Sequence, residues 1–410
     1  MLMNTSSLIA RLSLRAAAGL VVLAGLSIGA HAQATPVVVP AQEVPDLTSN
    51  ADRMISYRHQ EHMWQTSDGA LHVVINRGTL APNAGLQLYS SFDNGVSWTL
   101  AISTGNTGSM STSDGALVGD NLSLVYNNVN NVIIHAGLQY NVGTKTWTPT
   151  GSQAVFASPN AIALNPAIAF DTVGNAWVAY VAQNTSTGNY MIRMAKRSAG
   201  GNVWTDTGLT FGAVDNTSIE RSARPVALPN AMGMVFSVHD KVYWSKRDNS
   251  LPDNSAWTTQ LLYTRSSGSG SDPYSSHFNL TTDDAGNIHM AMVDAGNIKY
   301  FRYPVRTGVW NTVRTLTTDG QAAYCQASFV GGSKIQITSN VGGKFSKTLV
   351  STDKGQTFAG GYVLMHPAPV DGTQYPYARL ETPARVASPA PVLQQYIVDS
   401  VQRVMLFQEP

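Results

Sequence analysis

Short apolar runs separated by turn residues dominate the chain after residue 33. Runs such as LHVVI, LSLVYN, AWVAYV, MGMVFSV, IHMAMVD and IQITSN either alternate apolar with polar positions or are continuously apolar and β-branched. Gly, Asp, Asn, Ser and Thr bound these runs, as they commonly bound β-strands. Long stretches with helical periodicity are missing after residue 33. The pattern therefore predicts an all-β protein.

Aromatic residues recur at nearly equal spacing and give the length of a repeat. Five tryptophans close successive segments, Phe358 closes a sixth and Phe407 closes a seventh at the C-terminus. The intervals between these seven aromatics are 49, 57, 53, 53, 48 and 49 residues. Three to four predicted strands in each segment are typical of a β-propeller blade. The sequence therefore predicts a seven-bladed β-propeller, with six blades as the alternative count. The tryptophans are Trp98, Trp147, Trp204, Trp257 and Trp310.

One tight-turn motif occurs twice in the chain, as SSFDNGVSW at 90–98 and STDKGQTF at 351–358. Its Asp can accept hydrogen bonds from backbone amides of its own turn, and its Gly can adopt positive φ. The turn lacks the alternating oxygen ligands of a calcium-binding loop. We therefore interpret it as a structural element of the blade.

The N-terminus has the pattern of a secretory signal peptide. Arg11 and Arg15 precede an apolar run that ends in the sequence Ala30-His31-Ala32, which predicts cleavage after Ala32. No other apolar run is long enough to span a membrane, so we expect a soluble mature protein in the periplasm or outside the cell. The predicted organisation is a signal peptide over 1–32, a linker over 33–50 and a single propeller over 51–410.

The charge balance limits the classes of binding partner, and the cysteine content limits disulfide bonds and metal sites. Removing the two arginines of the signal peptide leaves 24 basic and 25 acidic residues, a balance that predicts neither a nucleic-acid partner nor a membrane contact. Cys325 is the only cysteine, so disulfides within the chain and thiolate zinc clusters are excluded. We expect Cys325 to lie in the core, because its neighbours AYCQASF read as an apolar strand.

The repeated turn resembles the Asp box, or BNR repeat, of sialidase-like propellers. A stretch over 57–77 is similar to the start of true sialidases, with Tyr-Arg, then Asp-Gly, then Arg in the family's order. His-Gln replaces the family's Ile-Pro, and no Asp follows between Arg77 and the first Asp box. The resemblance implies that Arg58, together with Arg224 and Arg379, forms a triad that binds a carboxylate.

A second branch of this superfamily is closer in pattern. Segments over 62–74, 165–181 and 277–303 resemble blades of the seven-bladed BNR-type polysaccharide lyases, which cleave uronate-containing glycans such as ulvan and plant gums. Those enzymes use His, Tyr and Arg rather than paired carboxylates. The resemblance implies a polysaccharide lyase that acts on an acidic glycan by β-elimination.

Basic and phenolic residues gather at the predicted beginnings of the blades, where the innermost strands of a propeller meet at the axis. Arg presents a planar fork to a carboxylate, His is a base near neutral pH, and Tyr can protonate a leaving oxygen. Together these groups suit removal of the proton α to a uronate carboxylate. The candidate catalytic residues are His62, His277, Tyr324 and Tyr377. The candidate substrate-binding residues are Arg58, His59, Arg221, Arg224, Asn279 and Arg379.

Two other functions remain open at this point. Glu61, Glu220 and Glu381 also lie near blade beginnings, so a pair of carboxyl groups could hydrolyse a terminal acidic sugar, as a sialidase does. The propeller could instead bind glycans without turnover, although its blade beginnings differ strongly and so favour one asymmetric site. The elimination requires no cofactor, a structural calcium or zinc ion stays open, and we expect a monomer.

Overall fold

The computed structural model describes residues 37–55, 59–80, 84–105, 107–156, 158, 160–216, 221–266, 278–341, 345–365, 373–374, 379–387 and 390–408. They belong to one compact unit, Pro36–Pro410. The described residues contain β-strands and no α-helix, and hence no helix long and apolar enough to span a membrane.

The strands, numbered in chain order, form seven sheets that correspond to seven blades. Blades 1 and 2 consist of β3 Met63–Gln65, β4 Leu71–Asn76, β5 Leu86–Ser91, β6 Thr99–Gly105, β7 Ser113–Val118, β8 Asn121–Asn127, β9 Ile133–Asn141 and β10 Thr146–Phe156. Blades 3 and 4 consist of β11 Ala161–Phe170, β12 Ala176–Asn184, β13 Tyr190–Arg197, β14 Thr205–Asp215, β15 Arg221–Leu228, β16 Ala231–Val238, β17 Lys241–Asp248 and β18 Thr258–Thr264. Blade 5 consists of β19 Phe278–Thr282, β20 Ile288–Asp294, β21 Asn297–Tyr303 and β22 Arg314–Thr315.

The last two blades include strands from the N-terminal part of the chain. Blade 6 consists of β23 Ala322–Phe329, β24 Ile335–Val341, β25 Phe345–Ser351, β26 Ala359–Met365 and, parallel to β26, β1 Val37–Pro40. Blade 7 consists of β27 Thr373–Gln374, β28 Leu380–Glu381, β29 Val392–Val398, β30 Val401–Phe407 and, antiparallel to β30, β2 Gln42–Ser49. Residues 37–49, which belong to the stretch 33–50 predicted as a linker, therefore contribute an outer strand to each of two blades. Pairing β2 with β30 closes the ring between the two ends of the chain.

Seven apolar clusters fill the seven seams between neighbouring blades. Each of the seven periodic aromatics packs in a different cluster, which explains why their spacing equals the length of a blade. The prediction of a seven-bladed β-propeller is confirmed. Cys325 is buried in the cluster between blades 5 and 6.

The sequence pattern predicts that the aromatics end the blades, but in the structure they lie near the start of the fourth strand in six of the seven blades. Trp98 immediately precedes the fourth strand of blade 1, and Phe358 holds the same place in blade 6. Phe407 differs, because it ends the third strand of blade 7, whose fourth strand comes from the N-terminus. Trp147 is the second residue of the fourth strand of blade 2, so the aromatics lie at or shortly before the start of the fourth strand, except in blade 7, where that strand comes from the N-terminal part of the chain.

The two Asp boxes form the hydrogen-bonded turns that their sequence predicts. In blade 1 the Asp93 carboxylate accepts the Ser97 amide at 3.0 Å and the Ser97 hydroxyl at 2.6 Å. The Gly95 amide donates to Ser91 Oγ at 2.8 Å, and Gly95 has a φ of 91°. Trp98 Nε1 donates to the Gly95 carbonyl at 2.8 Å, which fixes the turn against the seam.

Candidate functional site on the propeller axis

An open cavity of about 390 Å³ lies on the propeller axis, and we call it the axial cavity. It is lined by the second halves of the innermost strands of blades 1 to 5 and by the segment that follows β28. The sequence predicts functional residues where these strands begin, at the opposite end of the axis. The lining side chains that carry polar or aromatic groups include Glu61, Trp64, Phe170, Arg224, Thr281 and Arg385.

The inner end of the axial cavity is built by residues 59–62, which precede the first strand of blade 1. Each residue of this segment contacts a different blade, so the segment ties blades 2, 3, 4 and 7 to blade 1. The contacts are Arg224 Nη1 to the His59 carbonyl, Gln60 Nε2 to the Pro166 carbonyl at 2.6 Å, the Glu61 amide to Asp114 Oδ1 at 2.6 Å and the His62 amide to Glu381 Oε1 at 3.0 Å.

One guanidinium group lies between two carboxyl groups at this point. Arg224 Nη2 is 3.1 Å from Glu61 Oε2, and Arg224 Nη1 is 3.2 Å from Asp114 Oδ1. The second oxygen of Asp114 accepts the Ile168 amide at 2.7 Å, and Glu61 Oε1 accepts the Ala384 amide at 3.3 Å. Asp114 is fully buried, whereas the Glu61 side chain keeps 14 % exposure and borders the cavity.

Burial raises the pKa of Glu61 from its ordinary value of 4.5 to about 8. The Arg224 charge opposes this rise in the pKa, while the nearby carboxyl groups of Asp114 and Glu381 add to it. Burial also raises the pKa of Asp114, against the effects of Arg224 and of two backbone amide donors. Glu61 therefore holds a proton at neutral pH and can donate a hydrogen bond, or the proton itself, to a molecule in the cavity.

His62 is held in one orientation by Glu381. Glu381 accepts the His62 amide through Oε1, and its Oε2 lies 3.1 Å from His62 Nδ1. When Nδ1 donates to this carboxylate, the lone pair of the imidazole is on Nε2, as a general base requires. Nε2 is buried and has no hydrogen-bond partner in the described part of the chain, and His62 as a whole is only 1 % exposed.

Most of the other predicted site residues form contacts between structural elements. Arg221 is fully buried against Asp215. Among the predicted site residues that the structure describes, His59, His62 and Arg224 are the ones that meet at the segment 59–62. The remaining contacts are Asn279 Oδ1 with the Ala327 amide at 3.1 Å, Arg379 Nη1 with the Ile55 carbonyl at 3.0 Å and the Tyr324 amide with Asn340 Oδ1 at 2.7 Å. Arg58, His277 and Tyr377 lie outside the described residues, so their roles stay predictions.

Two residues that line the axial cavity, Trp64 and Arg385, and the buried Asp114 next to its inner end are not predicted from the sequence. Trp64 Nε1 is buried without a hydrogen-bond partner among the described residues. Arg385 stands at the mouth, where it contacts Asp284, donates to the Thr282 carbonyl and lies 4.9 Å from the centre of the Phe329 ring. A protonated carboxyl, an indole N–H and a cation thus line one cavity, and such donors suit a ligand rich in oxygen acceptors.

The polar groups of the axial cavity support acid catalysis or ligand binding by hydrogen bonds. Within the ranges that the structure describes, no group of three or more His, Cys, Asp and Glu side chains is arranged to hold a metal ion.

Comparison with known proteins identifies structures of similar fold but does not identify the activity of this chain. No protein-family model matches the chain, and no curated protein matches its sequence at a significant level. Among solved structures, Trypanosoma rangeli sialidase in complex with the inhibitor DANA is similar, with a TM-score of 0.50, 8 % identity and coverage of 92 % of this chain and 58 % of the sialidase.

Two further solved structures share the general architecture. The polysaccharide lyase Uly1 has a TM-score of 0.48 and 10 % identity, and the match covers 92 % of this chain and 97 % of the lyase. A fucose-specific lectin from Aleuria aurantia has a TM-score of 0.49 and 14 % identity, and the match covers 80 % of this chain and 99 % of the lectin. At these identities the likeness concerns the fold alone, and the fold of this chain is a seven-bladed β-propeller.

Proposed function

We propose that this protein is a secreted enzyme that binds an acidic glycan in the axial cavity and cleaves it by β-elimination. The supporting observation is the contact between Arg224 and Glu61, whose pKa burial raises to about 8, at the inner end of an open cavity. A carboxyl that keeps its proton next to a guanidinium lets both groups donate to an anionic oxygen.

Each requirement of the elimination has a candidate group. The carboxylate of a uronate must be neutralised so that its α-proton becomes acidic, and Arg224 and Arg385 are the cations that border the cavity. The leaving oxygen must receive a proton, which Glu61 can supply. His62 and His277 are the candidate bases, and the bond from His62 Nδ1 to Glu381 leaves Nε2 as the accepting atom.

A second candidate reaction is hydrolysis of a glycosidic bond, as the sialidase alternative implies. It is favoured by the three carboxyl groups of Glu61, Asp114 and Glu381, which meet around the segment 59–62. A hydrolase uses one protonated and one ionised carboxyl, and burial raises the pKa of Glu61 enough for the first role.

Three substrates separate the possible functions of the mature protein. Ulvan and gum arabic offer uronate linkages, and a sialoside offers a terminal acidic sugar. β-Elimination creates a C4–C5 double bond, which raises the ultraviolet absorbance as new chain ends appear. Hydrolysis releases sugar without this absorbance, and binding without turnover changes neither signal but gives saturable binding by calorimetry.

A matched pair of variants tests whether the axial cavity does the chemistry. We expect Glu61→Gln, which removes the donated proton, to lower kcat by about 10²- to 10⁴-fold. Glu43→Gln changes a carboxylate that is 50 % exposed and paired with Arg403, so it should leave kcat unchanged. Full activity of Glu61→Gln, or activity on none of the three substrates, would refute the proposed function.

A further inference from the structure

A second cavity, which we call the lateral cavity, opens at the outer edge of blade 5. It has a volume of about 610 Å³ and is bordered by the third strand of blade 5, by the loop before its fourth strand and by the Asp-box turn of blade 6. The residues with recognition chemistry are Tyr300, Arg302, Trp310, Arg314 and Gln356. None of them belongs to the axial cavity or to the candidate residues proposed from the sequence.

Two guanidinium groups border the lateral cavity without carboxylate partners among the described residues. Arg302 forms no ion pair or hydrogen bond through its side chain there, and its Nε atom is buried. Arg314 donates to the backbone carbonyls of Gly355 and Gln356, which hold the side chain in place, and no acidic side chain of the described residues pairs with it. A fixed pair of cations beside open space favours an anionic ligand.

Cations elsewhere on the blades behave differently. Several of them on the third strands are paired with acidic side chains at hydrogen-bond distance. These pairs are Arg193 with Asp206 at 2.7 Å, Lys196 with Asp253 at 2.6 Å and Lys347 with Asp319 at 2.9 Å. Arg302 and Arg314 have no such acidic partner among the described residues.

Aromatic rings hold Arg314 in place beside the lateral cavity and add one hydrogen-bond donor. Arg314 lies 5.0 Å from the ring centre of Tyr300 and 5.6 Å from that of Phe358, so its guanidinium plane is fixed by aromatic contacts. Trp310 packs against Trp244, and its buried Nε1 has no hydrogen-bond partner in the part of the chain that the structure describes. This N–H can donate to a hydroxyl or carboxylate oxygen of a ligand.

The two cavities lie at the same end of the blades. The first and third strands of an antiparallel blade run in the same direction, so the end of β19 and the end of β21 are on one side of the propeller. We infer that the lateral cavity is a binding site for an acidic saccharide unit, whose carboxylate or sulfate contacts Arg302 and Arg314 while a hydroxyl accepts from Trp310. This site does not depend on turnover in the axial cavity.

Binding at this site can be followed by the indole N–H signals of the tryptophans in nitrogen-edited NMR spectra. The mature Glu61→Gln protein is titrated with methyl glucuronide, with methyl glucoside as the neutral sugar and with inorganic sulfate as the bare anion. Trp310→Phe, which keeps the ring packing, identifies the Trp310 signal by its loss. We expect methyl glucuronide to shift this signal saturably and to bind at least tenfold more tightly than the other two probes.

Two arginine variants complete the test. Arg302→Gln should weaken methyl glucuronide binding by about 10- to 100-fold, because it removes a charged hydrogen bond. Arg306→Gln makes the same charge change at an exposed residue of the next turn, outside the cavity, and should leave binding unchanged. An unmoved Trp310 signal, equal binding of methyl glucoside or sulfate, or undiminished binding by Arg302→Gln would overturn the inference.

Discussion

The protonated Glu61 has a consequence for stability that can be measured without any substrate. In the unfolded chain its carboxyl titrates near the ordinary pKa of 4.5, whereas in the folded protein burial raises the pKa to about 8. The folded state therefore binds a proton that the unfolded state releases over this interval. Replacing Glu61 by Gln removes the titration while keeping the size of the side chain.

The sign and size of the effect follow from the two pKa values. Below pH 4.5 both states hold the proton, so the group adds no pH dependence. Between pH 4.5 and 8 the free energy of unfolding of the wild type falls by up to about 1.4 kcal/mol per pH unit. Over the whole interval the loss approaches about 5 kcal/mol, and it levels off at higher pH.

The assay compares urea unfolding of the wild type and of Glu61→Gln at pH 5 and at pH 9. A hydrogen bond lost in the variant lowers its free energy of unfolding by the same amount at both pH values. The informative quantity is therefore how the difference in free energy of unfolding between wild type and variant changes from pH 5 to pH 9. We expect the variant to gain several kcal/mol relative to the wild type at pH 9, and Glu43→Gln to gain nothing. A difference that stays constant between these pH values would refute the raised pKa.

Three other predictions concern residues that support the fold around both cavities. Arg224→Met leaves a buried carboxylate without its cation, and we expect urea unfolding to show a loss of about 3–5 kcal/mol; a change within about 0.5 kcal/mol would contradict the ion-pair description. Gly233→Ala places a Cβ within the ring of Trp244, so stability should fall by about 1–3 kcal/mol, and a neutral result would show that the ring can move. Hydrogen bonds from Thr357 hold the pKa of Asp353 well below its ordinary value, so this carboxylate stabilises the fold above about pH 4 and the contribution is lost as pH falls. Thermal unfolding of Asp353→Asn should therefore be less sensitive to acid than that of the wild type, and equal acid sensitivity would contradict this role.

The propeller could be predicted from the sequence because each seam between blades requires a large aromatic residue, which therefore recurs at regular intervals along the chain. One large aromatic fills each seam, so the spacing of Trp98, Trp147 and their counterparts reports the length of a blade. The borrowed strands could not be read in the same way. β1 and β2 pair with strands that lie more than 300 residues further along the chain, and no local pattern carries that information.

The pentapeptide TSDGA shows why the role of Asp114 could not be predicted from the sequence. At 66–70 it forms a turn, in which Asp68 accepts the Thr66 hydroxyl at 2.7 Å and Gly69 has a φ of 83°. At 112–116 the same letters enter the innermost strand of blade 2, and Asp114 becomes a buried partner of Arg224. Identical local sequences adopt different structures because the register of the blade decides which copy faces the axis.

The sequence predicts functional residues at the beginnings of the blades, and the structure brings some of these residues together at the inner end of the axial cavity. His62 and Arg224 are candidates because they lie near the beginnings of blades; His62 is part of the segment 59–62, and Arg224 donates to the His59 carbonyl of that segment. Arg385 was missed, because the chain after β28 leaves blade 7 and crosses towards blade 5, where it meets Asp284. Such a crossing depends on tertiary packing rather than on any repeated pattern.

The most direct test of the account is a crystal structure of the mature Glu61→Gln protein soaked with a uronate oligosaccharide that contains the linkage found to be cleaved or bound. The account predicts a sugar in the axial cavity, with a uronate carboxylate within hydrogen-bond distance of Arg224 or Arg385 and an oxygen of the glycosidic linkage facing residue 61. An axial cavity without sugar, while the oligosaccharide is bound elsewhere on the propeller, would contradict it.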